Sequence, residues 1–213
     1  MPLHSLTLPV GPLQCNCTLV WNDTTHEAII IDPGGDADKL LALLQEKGLT
    51  LRACYHTHAH FDHFMASEQL RQATGASLWL NEGDLFLWQN LELQCQRFRL
   101  PTAWITQPEA PDGLLEDEQP LLLGESVVGT VHHTPGHTPG SCCFEVPEAE
   151  LILSGDTLFK QGVGRTDLWG GNSQQLKESL KRMVQRLNPS YTVVAGHGPS
   201  TTLEAEERSN PYL

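Results

Sequence analysis

The sequence predicts an α/β fold whose sheets contain both parallel and antiparallel strands. Two observations support this prediction. Short β-branched or alternating apolar runs are interspersed with segments of helical periodicity, and many of the runs are joined by short turns. Because short turns join antiparallel neighbours and helical crossovers join parallel ones, the two kinds of connection together indicate mixed sheets.

The predicted strands are short apolar segments, most of which end at or just before Gly, Pro, Asn or Asp. In chain order they are Ser5 to Pro9, Thr18 to Asn22, Ala28 to Asp32, Leu49 to His56, Ser77 to Leu80, Val127 to His132, Ser141 to Val146, Leu151 to Ser154 and Tyr191 to Ala195.

Three segments carry an apolar stripe at helical spacing. The first is Asp36 to Lys47, and the Gly48 that follows it is a typical helix C-cap. The second stripe is closed by Gly75 and the third by Asn188-Pro189. The residues of the three stripes are Ala37, Leu40, Leu41 and Leu44; Ala66, Leu70 and Ala73; and Leu176, Leu180, Met183, Val184 and Leu187.

The segment from Leu85 to Asp117 has no clear period and contains Trp88 and Trp104. We predict a long loop or a partly helical insert there, and such loops often act as lids over functional sites. The length of 213 residues otherwise suits one domain, so residues 1–213 are predicted to form a single domain with an insert or lid near 85–117.

Composition excludes several classes of partner. The chain has 13 Lys and Arg against 26 Asp and Glu, a net charge of -13, which disfavours binding to nucleic acid. No apolar run approaches the roughly 20 residues that span a bilayer, and the N-terminus does not resemble a secretion signal. The six cysteines are not spaced like a disulfide framework. We therefore expect a cytoplasmic protein with reduced thiols and no membrane partner, and the oligomeric state is not predicted.

The segment from Tyr55 to His63 is the most informative part of the chain. Its pattern, HxHxDH from His58 to His63, places His58, His60, Asp62 and His63 just after a predicted strand. Asp62 and His63 are expected at the turn into a helix that begins near Phe64. Imidazole and carboxylate groups together suit zinc, manganese or ferrous iron, and the ends of strands are where α/β sheets usually bind ligands. His56 lies in the same series of alternate residues, but it precedes the motif and is interpreted as a strand or supporting residue.

Three further segments each contain a Gly beside a residue that can bind metal. His137 lies in a turn rich in Pro and Gly, whereas Asp156 and His197 each follow an apolar strand. Each signal is weak alone, because a single His after a strand is more often an ordinary hydrogen-bonded residue. Together with HxHxDH they predict a metal site built from several loops.

These motifs resemble those of the metallo-β-lactamase superfamily over essentially the whole chain. They are HxHxDH, HTPGHTPGS from His133 to Ser141, SGD from Ser154 to Asp156, and GHGP from Gly196 to Pro199. Within the superfamily, the chain resembles the glyoxalase II-like branch at GDTLF (Gly155 to Phe159), at GVGRTD (Gly162 to Asp167) and in its ending from Glu207 to Leu213. The Gly that usually follows the DH pair is replaced by Phe64-Met65-Ala66. The resemblance implies an αββα sandwich with metals at the sheet edges.

Carried over by motif, the resemblance implies two divalent metal ions, zinc being favoured over iron or manganese, with the second site open to partial occupancy. It assigns the first metal to His58, His60 and His137, the second to Asp62, His63 and His197, and a bridging role to Asp156. A hydroxide held between the metals would attack a carbonyl group, and Asp62 would orient it. The expected catalytic residues are therefore Asp62 and Asp156.

The implied substrate is a glutathione thioester, S-lactoylglutathione, hydrolysed to lactate and glutathione. Arg165 matches a basic family position that meets glutathione, but it is equally compatible with anchoring its loop to Asp167. Longer family members bind glutathione partly through a C-terminal helical domain. Because the chain ends about 16 residues after His197, that domain is expected to be missing.

The main alternative is a persulfide dioxygenase, which resembles the chain at the GRTD segment. Such an enzyme would hold one ferrous iron at His58, His137 and Asp156. The intact GHGP segment favours hydrolysis, because it retains the last ligand of a second metal. Lactonase or β-lactamase activity fits the same pair of metals, but the GRTD segment disfavours it.

Overall fold

The computed structural model describes residues 3–102 and 105–213, so the Trp104 of the predicted insert lies outside the described residues. Among these residues, six strands form a first sheet in the order β1-β2-β3-β4-β5-β6. Its β1, β2 and β3 pair antiparallel, and β3 to β6 pair parallel. The strands are β1 (Leu3–Val10), β2 (Cys15–Asn22), β3 (Glu27–Ile31), β4 (Thr50–Tyr55), β5 (Ser77–Asn81) and β6 (Gly113–Leu115).

The second sheet also has six strands in the described part of the chain, and one pair of neighbours, β10 and β13, is parallel. The order of its strands is β14-β13-β10-β9-β8-β7. They are β7 (Pro120–Leu123), β8 (Ser126–His133), β9 (Cys142–Val146), β10 (Leu151–Gly155), β13 (Thr192–Ala195) and β14 (Thr201–Thr202). A small hairpin of β11 (Leu158–Phe159) and β12 (Gly162–Val163) follows β10.

Helices cover the outer faces of both sheets. The helices are α1 (Ala37–Lys47), α2 (Phe61–Phe64), α3 (Ser67–Thr74), α4 (Leu85–Trp88), α5 (Leu91–Arg97), α6 (Ser173–Arg186) and α7 (Leu203–Ser209). Within residues 3–102 and 105–213, no helix has the length and apolar character needed to cross a membrane.

Three apolar layers hold the fold together, and strand alternation produces them. In β3, Ala28 and Ile30 pack against the helices, whereas Ile29 and Ile31 face the second sheet. In β10, Ile152 instead packs under α6. Because each sheet is buried on both faces, the order of layers is helix, sheet, sheet, helix. The predicted αββα sandwich with mixed sheets is therefore confirmed.

The nine predicted strands and three predicted helices coincide with elements of the structure, with small shifts of their ends. One prediction was wrong in detail. The helix after HxHxDH was expected to begin near Phe64, but α2 begins at Phe61, so Asp62 and His63 lie within its single turn. Strands β6 and β7 were not predicted, because three or four residues carry too little alternation to be recognised.

The segment predicted as an insert contains α4, α5 and β6. Trp88 of α4 is buried and stacks on Phe64, with ring centroids 4.6 Å apart. The Trp88 ring also meets His56 edge-on. This part of the segment therefore belongs to the core beside HxHxDH. A lid role for residues 85–117 stays a prediction.

Candidate metal centre

All seven side chains predicted as ligands lie together at one end of the sandwich. Those of HxHxDH follow β4 and continue into α2. His137 lies in the connection between β8 and β9, Asp156 directly follows β10, and His197 follows β13. The group formed by His58, His60, Asp62, His63, His137, Asp156 and His197 is called the candidate metal centre below.

The first set of three consists of His58, His60 and His137, all of them buried. Nδ1 of His60 lies 2.8 Å from Nε2 of His137 and 3.1 Å from Nε2 of His58. Burial lowers the pKa of His60 to about 3 and that of His58 well below its ordinary value. The rings of His58 and His60 are therefore neutral at physiological pH, and the nitrogens of all three histidines converge on a point where a cation can bind.

The second set contains Asp62, His63 and His197. Oδ2 of Asp62 lies 3.0 Å from Nε2 of His197 and 3.7 Å from Nε2 of His63. The side chain of His197 is 29% exposed, whereas that of His63 is fully buried. The centre therefore opens to solvent on the side of His197.

Asp156 lies between the two sets, and its two carboxylate oxygens face different histidines. Oδ2 is 3.5 Å from Nε2 of His137, and Oδ1 is 3.5 Å from Nε2 of His63. Burial opposes ionisation of Asp156, but the surrounding histidines, foremost His63, hold the pKa of its carboxyl well below its ordinary range. An ionised carboxylate with one oxygen toward each set has the geometry of a bridging ligand.

Hydrogen bonds on the outer nitrogens fix the orientation of three rings. Nδ1 of His137 donates to the carbonyl oxygen of Arg165 at 2.7 Å, and Nδ1 of His197 faces the carbonyl of Leu13 at 3.2 Å. Nδ1 of His63 lies 2.9 Å from Oδ2 of Asp32. In each case the bond sets the tautomer and leaves the Nε2 lone pair directed into the centre, as in known metal sites.

Three buried atoms in the centre lack a hydrogen-bond partner within the described part of the chain, namely Nε2 of His60, Nε2 of His63 and Oδ1 of Asp156. A buried polar atom without a partner is unfavourable by about 1–3 kcal/mol. Imidazole nitrogens and carboxylate oxygens are the kinds of atom that bind zinc, iron or manganese, so these residues fit a metal. The His and Asp clusters of the chain are thus able to bind metal.

Glycines beside these residues make room for the centre. A Cβ atom on Gly196 would lie 2.2 Å from Oδ1 of Asp156 and 2.7 Å from Cε1 of His63. Gly155 has a φ of +49° and would clash with Thr57 if it had a side chain. A Gly next to the predicted ligand is therefore needed where two strand ends meet.

Three buried residues that support the centre were not predicted from the sequence. Asp32 accepts from the backbone N–H of Thr57 at 2.7 Å and also contacts His63. Asp84 and Gln94 hold the loops that carry the histidines. Asp32 directly follows β3 and Asp84 lies three residues after β5, so an acidic residue near the end of a strand was visible in both cases, whereas Gln94 has no local signal.

Two other sequence interpretations concern residues outside the centre. His56 points away from it, with Nδ1 2.8 Å from the carbonyl oxygen of Trp79 and Nε2 2.7 Å from Oγ of Ser67. Arg165 is exposed and donates twice to the carboxylate of Asp167, at 2.7 and 2.8 Å. The anchoring contact considered for Arg165 is therefore present, and its role in substrate binding stays a prediction.

The fold and this centre define a class of protein, and comparison with known families agrees. Residues 10–197 match the family model described as the metallo-beta-lactamase superfamily. The match spans most of the chain and includes all seven residues of the candidate metal centre. The chain belongs to the metallo-beta-lactamase superfamily, and it is a metallo-hydrolase of that superfamily.

Individual proteins that are similar to this chain cover nearly all of its length. Hydroxyacylglutathione hydrolase GloC of Haemophilus influenzae is 40% identical over 97% of this chain and 96% of its own length. Among solved structures, a di-iron-bound form of TTHA1623 is 40% identical with a TM-score of 0.88, covering 98% of this chain and 100% of that one. The BLEG-1 B3 metallo-beta-lactamase is 37% identical with a TM-score of 0.89, covering 98% and 99%. ETHE1 from Myxococcus xanthus is 27% identical with a TM-score of 0.78, covering 99% and 84%.

Removal of bound metal is expected to lower the thermal stability of the protein. A ligand present at 100 times its dissociation constant stabilises the native state by about 2.7 kcal/mol, which corresponds to roughly 5–10 °C in Tm for a chain of this size. Calorimetry with and without a chelator measures the difference. His58→Ala should reduce the chelator effect, whereas His4→Ala, at an exposed position, should retain it. Equal Tm values for metal-loaded and chelated protein would contradict this expectation.

Proposed function

We propose that the chain hydrolyses thioesters and that its substrate is S-lactoylglutathione, which yields lactate and glutathione. The observation that carries the proposal is the completeness of both sets of metal-binding side chains around one shared carboxylate, Asp156. The likeness to GloC supports the choice of substrate. A cytoplasmic location is part of the proposal and rests on the spacing of the cysteines.

Two divalent cations at these sets would supply Lewis acidity, which polarises a carbonyl group and activates water at neutral pH. Two carboxylates of the chain can position the water for this reaction. Asp62 and Asp156 lie on either side of His63, and histidines lower the pKa of both carboxyl groups against the effect of burial. Both carboxylates are therefore ionised and can accept a hydrogen bond from water entering beside His197.

A thioester matches this arrangement better than an amide does. A thiol has an ordinary pKa near about 8.5, so the thiolate leaves without being protonated first. An amine must be protonated as it leaves and needs a general acid. The carboxylates of Asp62 and Asp156 are ionised and the imidazoles of His58 and His60 are neutral, so these four groups act as acceptors rather than as acids.

The second candidate function is that of a persulfide dioxygenase, which the chain resembles at its GRTD segment, Gly164 to Asp167. One iron at His58, His137 and Asp156 would suffice for it. The second set would then have no role, although Asp62, His63 and His197 converge within bonding reach of a metal. We therefore rank hydrolysis first. The likeness to BLEG-1 makes a β-lactam the third substrate to test.

The test is a comparison of three substrates on one metal-analysed preparation. We expect release of thiol from S-lactoylglutathione with kcat/KM above about 10⁴ M⁻¹ s⁻¹, the lower end of the usual enzyme range. Oxygen uptake with glutathione persulfide, together with one iron per chain, would instead indicate the dioxygenase. Faster hydrolysis of a β-lactam than of the thioester would likewise overturn the choice of substrate.

A further inference from the structure

A cleft of about 560 Å³ lies between two separate parts of the chain. One wall comes from the end of α5 and the other from the loop that follows β12. Its lining residues are Arg97, Phe98, Arg165, Asp167, Leu168 and Trp169. It is called the arginine cleft below.

Both walls of the arginine cleft border the candidate metal centre. On one side, Nδ1 of His137 donates to the backbone carbonyl of Arg165 at 2.7 Å. On the other side, the ring of Phe98 lies 5.0 Å from that of Phe61, which stands between His60 and Asp62 in the chain. A molecule bound in the cleft can therefore extend a reactive group toward the centre.

The charges of the cleft differ from those of the chain as a whole. The chain carries a net charge of -13, but the cleft contains two guanidinium groups and one carboxylate. Arg165 and Asp167 pair with each other, whereas the exposed Arg97 makes no ion pair or hydrogen bond with any described residue. The local charge is thus +1, and Arg97 is free to bind an anion.

Two aromatic side chains border these charges and are unusually exposed. Phe98 is 40% exposed and Trp169 is 36% exposed. Exposed aromatic groups beside unpaired cations are typical of ligand sites, because rings supply contact area and guanidinium groups bind carboxylates with fixed geometry.

We infer that the arginine cleft binds the tripeptide part of a glutathione thioester, with Arg97 holding a carboxylate and Asp167 receiving the ammonium group. The inference rests on the proposed function and adds two residues to it. Glutathione carries two carboxylates and one ammonium at neutral pH, and the cleft offers two guanidinium groups and one carboxylate. Each ligand charge therefore meets an opposite charge, and a net charge of -1 meets one of +1.

The first test compares Arg97→Gln with Arg99→Gln, a matched variant at a neighbouring exposed arginine outside the cleft. The substrates are S-lactoylglutathione and the uncharged S-lactoyl thioester of N-acetylcysteamine. We expect Arg97→Gln to lower the ratio of their kcat/KM values about tenfold, mainly through KM, because one charge-assisted hydrogen-bonded contact is lost. Arg99→Gln should leave the ratio as in the wild type.

The second test concerns Asp167 and the ammonium group. S-lactoyl glutaryl-cysteinylglycine lacks only that ammonium. The wild type should prefer S-lactoylglutathione over this analogue, and Asp167→Asn should remove most of the preference. An unchanged preference in Asp167→Asn would assign Asp167 to pairing with Arg165 alone and would overturn this part of the inference.

Binding of S-methylglutathione, which cannot be hydrolysed, separates the two proposals. If the wild type binds this analogue more tightly than Arg97→Gln does, but cleaves no thioester, the proposed function is wrong and the inferred binding role of the arginine cleft stands. If the wild type cleaves thioesters while Arg97→Gln binds the analogue as tightly as the wild type does, the inference about the arginine cleft is wrong and the proposed function stands. Calorimetric titration measures the binding in both proteins.

Discussion

Replacement of Asp156 by alanine is expected to lower kcat/KM for thioester hydrolysis roughly a thousandfold. Its two oxygens are each 3.5 Å from a histidine of a different set, so in the proposed bridging role the change would remove a ligand from both sets at once. Metals contribute several kcal/mol of transition-state stabilisation, and each loss of about 1.4 kcal/mol is tenfold in rate. Elemental analysis should show fewer metal ions per chain together with the loss of rate.

Two further variants make this result specific. Asp156→Asn keeps the size of the side chain but loses its charge and one acceptor oxygen, and it should therefore lose nearly as much activity. Asp38→Ala, at an exposed position of α1, should match the wild type in rate and metal content. Full activity of Asp156→Ala with two metals bound would disprove the bridging role and the proposed metal mechanism with it.

Replacement of Asp84 by alanine should lower the free energy of unfolding by about 3–5 kcal/mol. The fully buried carboxylate accepts from the N–H of Ala59 at 2.9 Å, the hydroxyl of Thr138 at 2.7 Å and the N–H of Gly140 at 2.7 Å. Alanine would leave the N–H groups of Ala59 and Gly140 buried without this acceptor, at about 1–3 kcal/mol each before water enters. The hydroxyl of Thr138 would keep a second partner, Oγ of Ser141 at 2.8 Å. Urea unfolding of metal-free protein measures the effect apart from any change in metal binding.

Asp84 also joins the two loops that carry the first set of histidines, so its replacement should affect metal binding. Ala59 lies between His58 and His60, whereas Thr138 and Gly140 follow His137. The carboxylate therefore holds together the two loops that supply the first set, and Asp84→Ala should also weaken metal binding there. Glu82→Ala is the matched control, because Glu82 is exposed in the same turn. An unfolding midpoint of Asp84→Ala equal to that of the control would contradict this account.

The parts of the fold that could be predicted from sequence have local signals. The alternation in β3 and β10 and the apolar stripe of α6 depend on residues a few positions apart, and the structure has these elements where they were expected. The seven residues of the centre were found because each lies beside a glycine or in a dense histidine motif. Such patterns reflect constraints at the ends of strands, where little space is available.

The parts that could not be predicted depend on contacts between distant segments. Gln94 donates to the carbonyl of Ala59 and accepts from the N–H of Phe61, and nothing in the residues around Gln94 indicates either partner. Asp84 also follows a strand, three residues after the end of β5, yet it binds two backbone N–H groups and the Thr138 hydroxyl instead of facing the histidines. The sequence pattern does not distinguish these two kinds of buried carboxylate. The partners of such buried residues depend on how α5 and the loop after β8 pack.

The metal-binding side chains come from both sheets, so they become available at different times while the chain is synthesised. Each set of three takes two side chains from the connection after β4 and one from a loop of the second sheet. On a chain still emerging from the ribosome, the first set is incomplete until His137 has left the exit tunnel, and the second set is incomplete until His197 has done so. Metal held by a complete set in a nascent chain would therefore report that its two sheets have already docked.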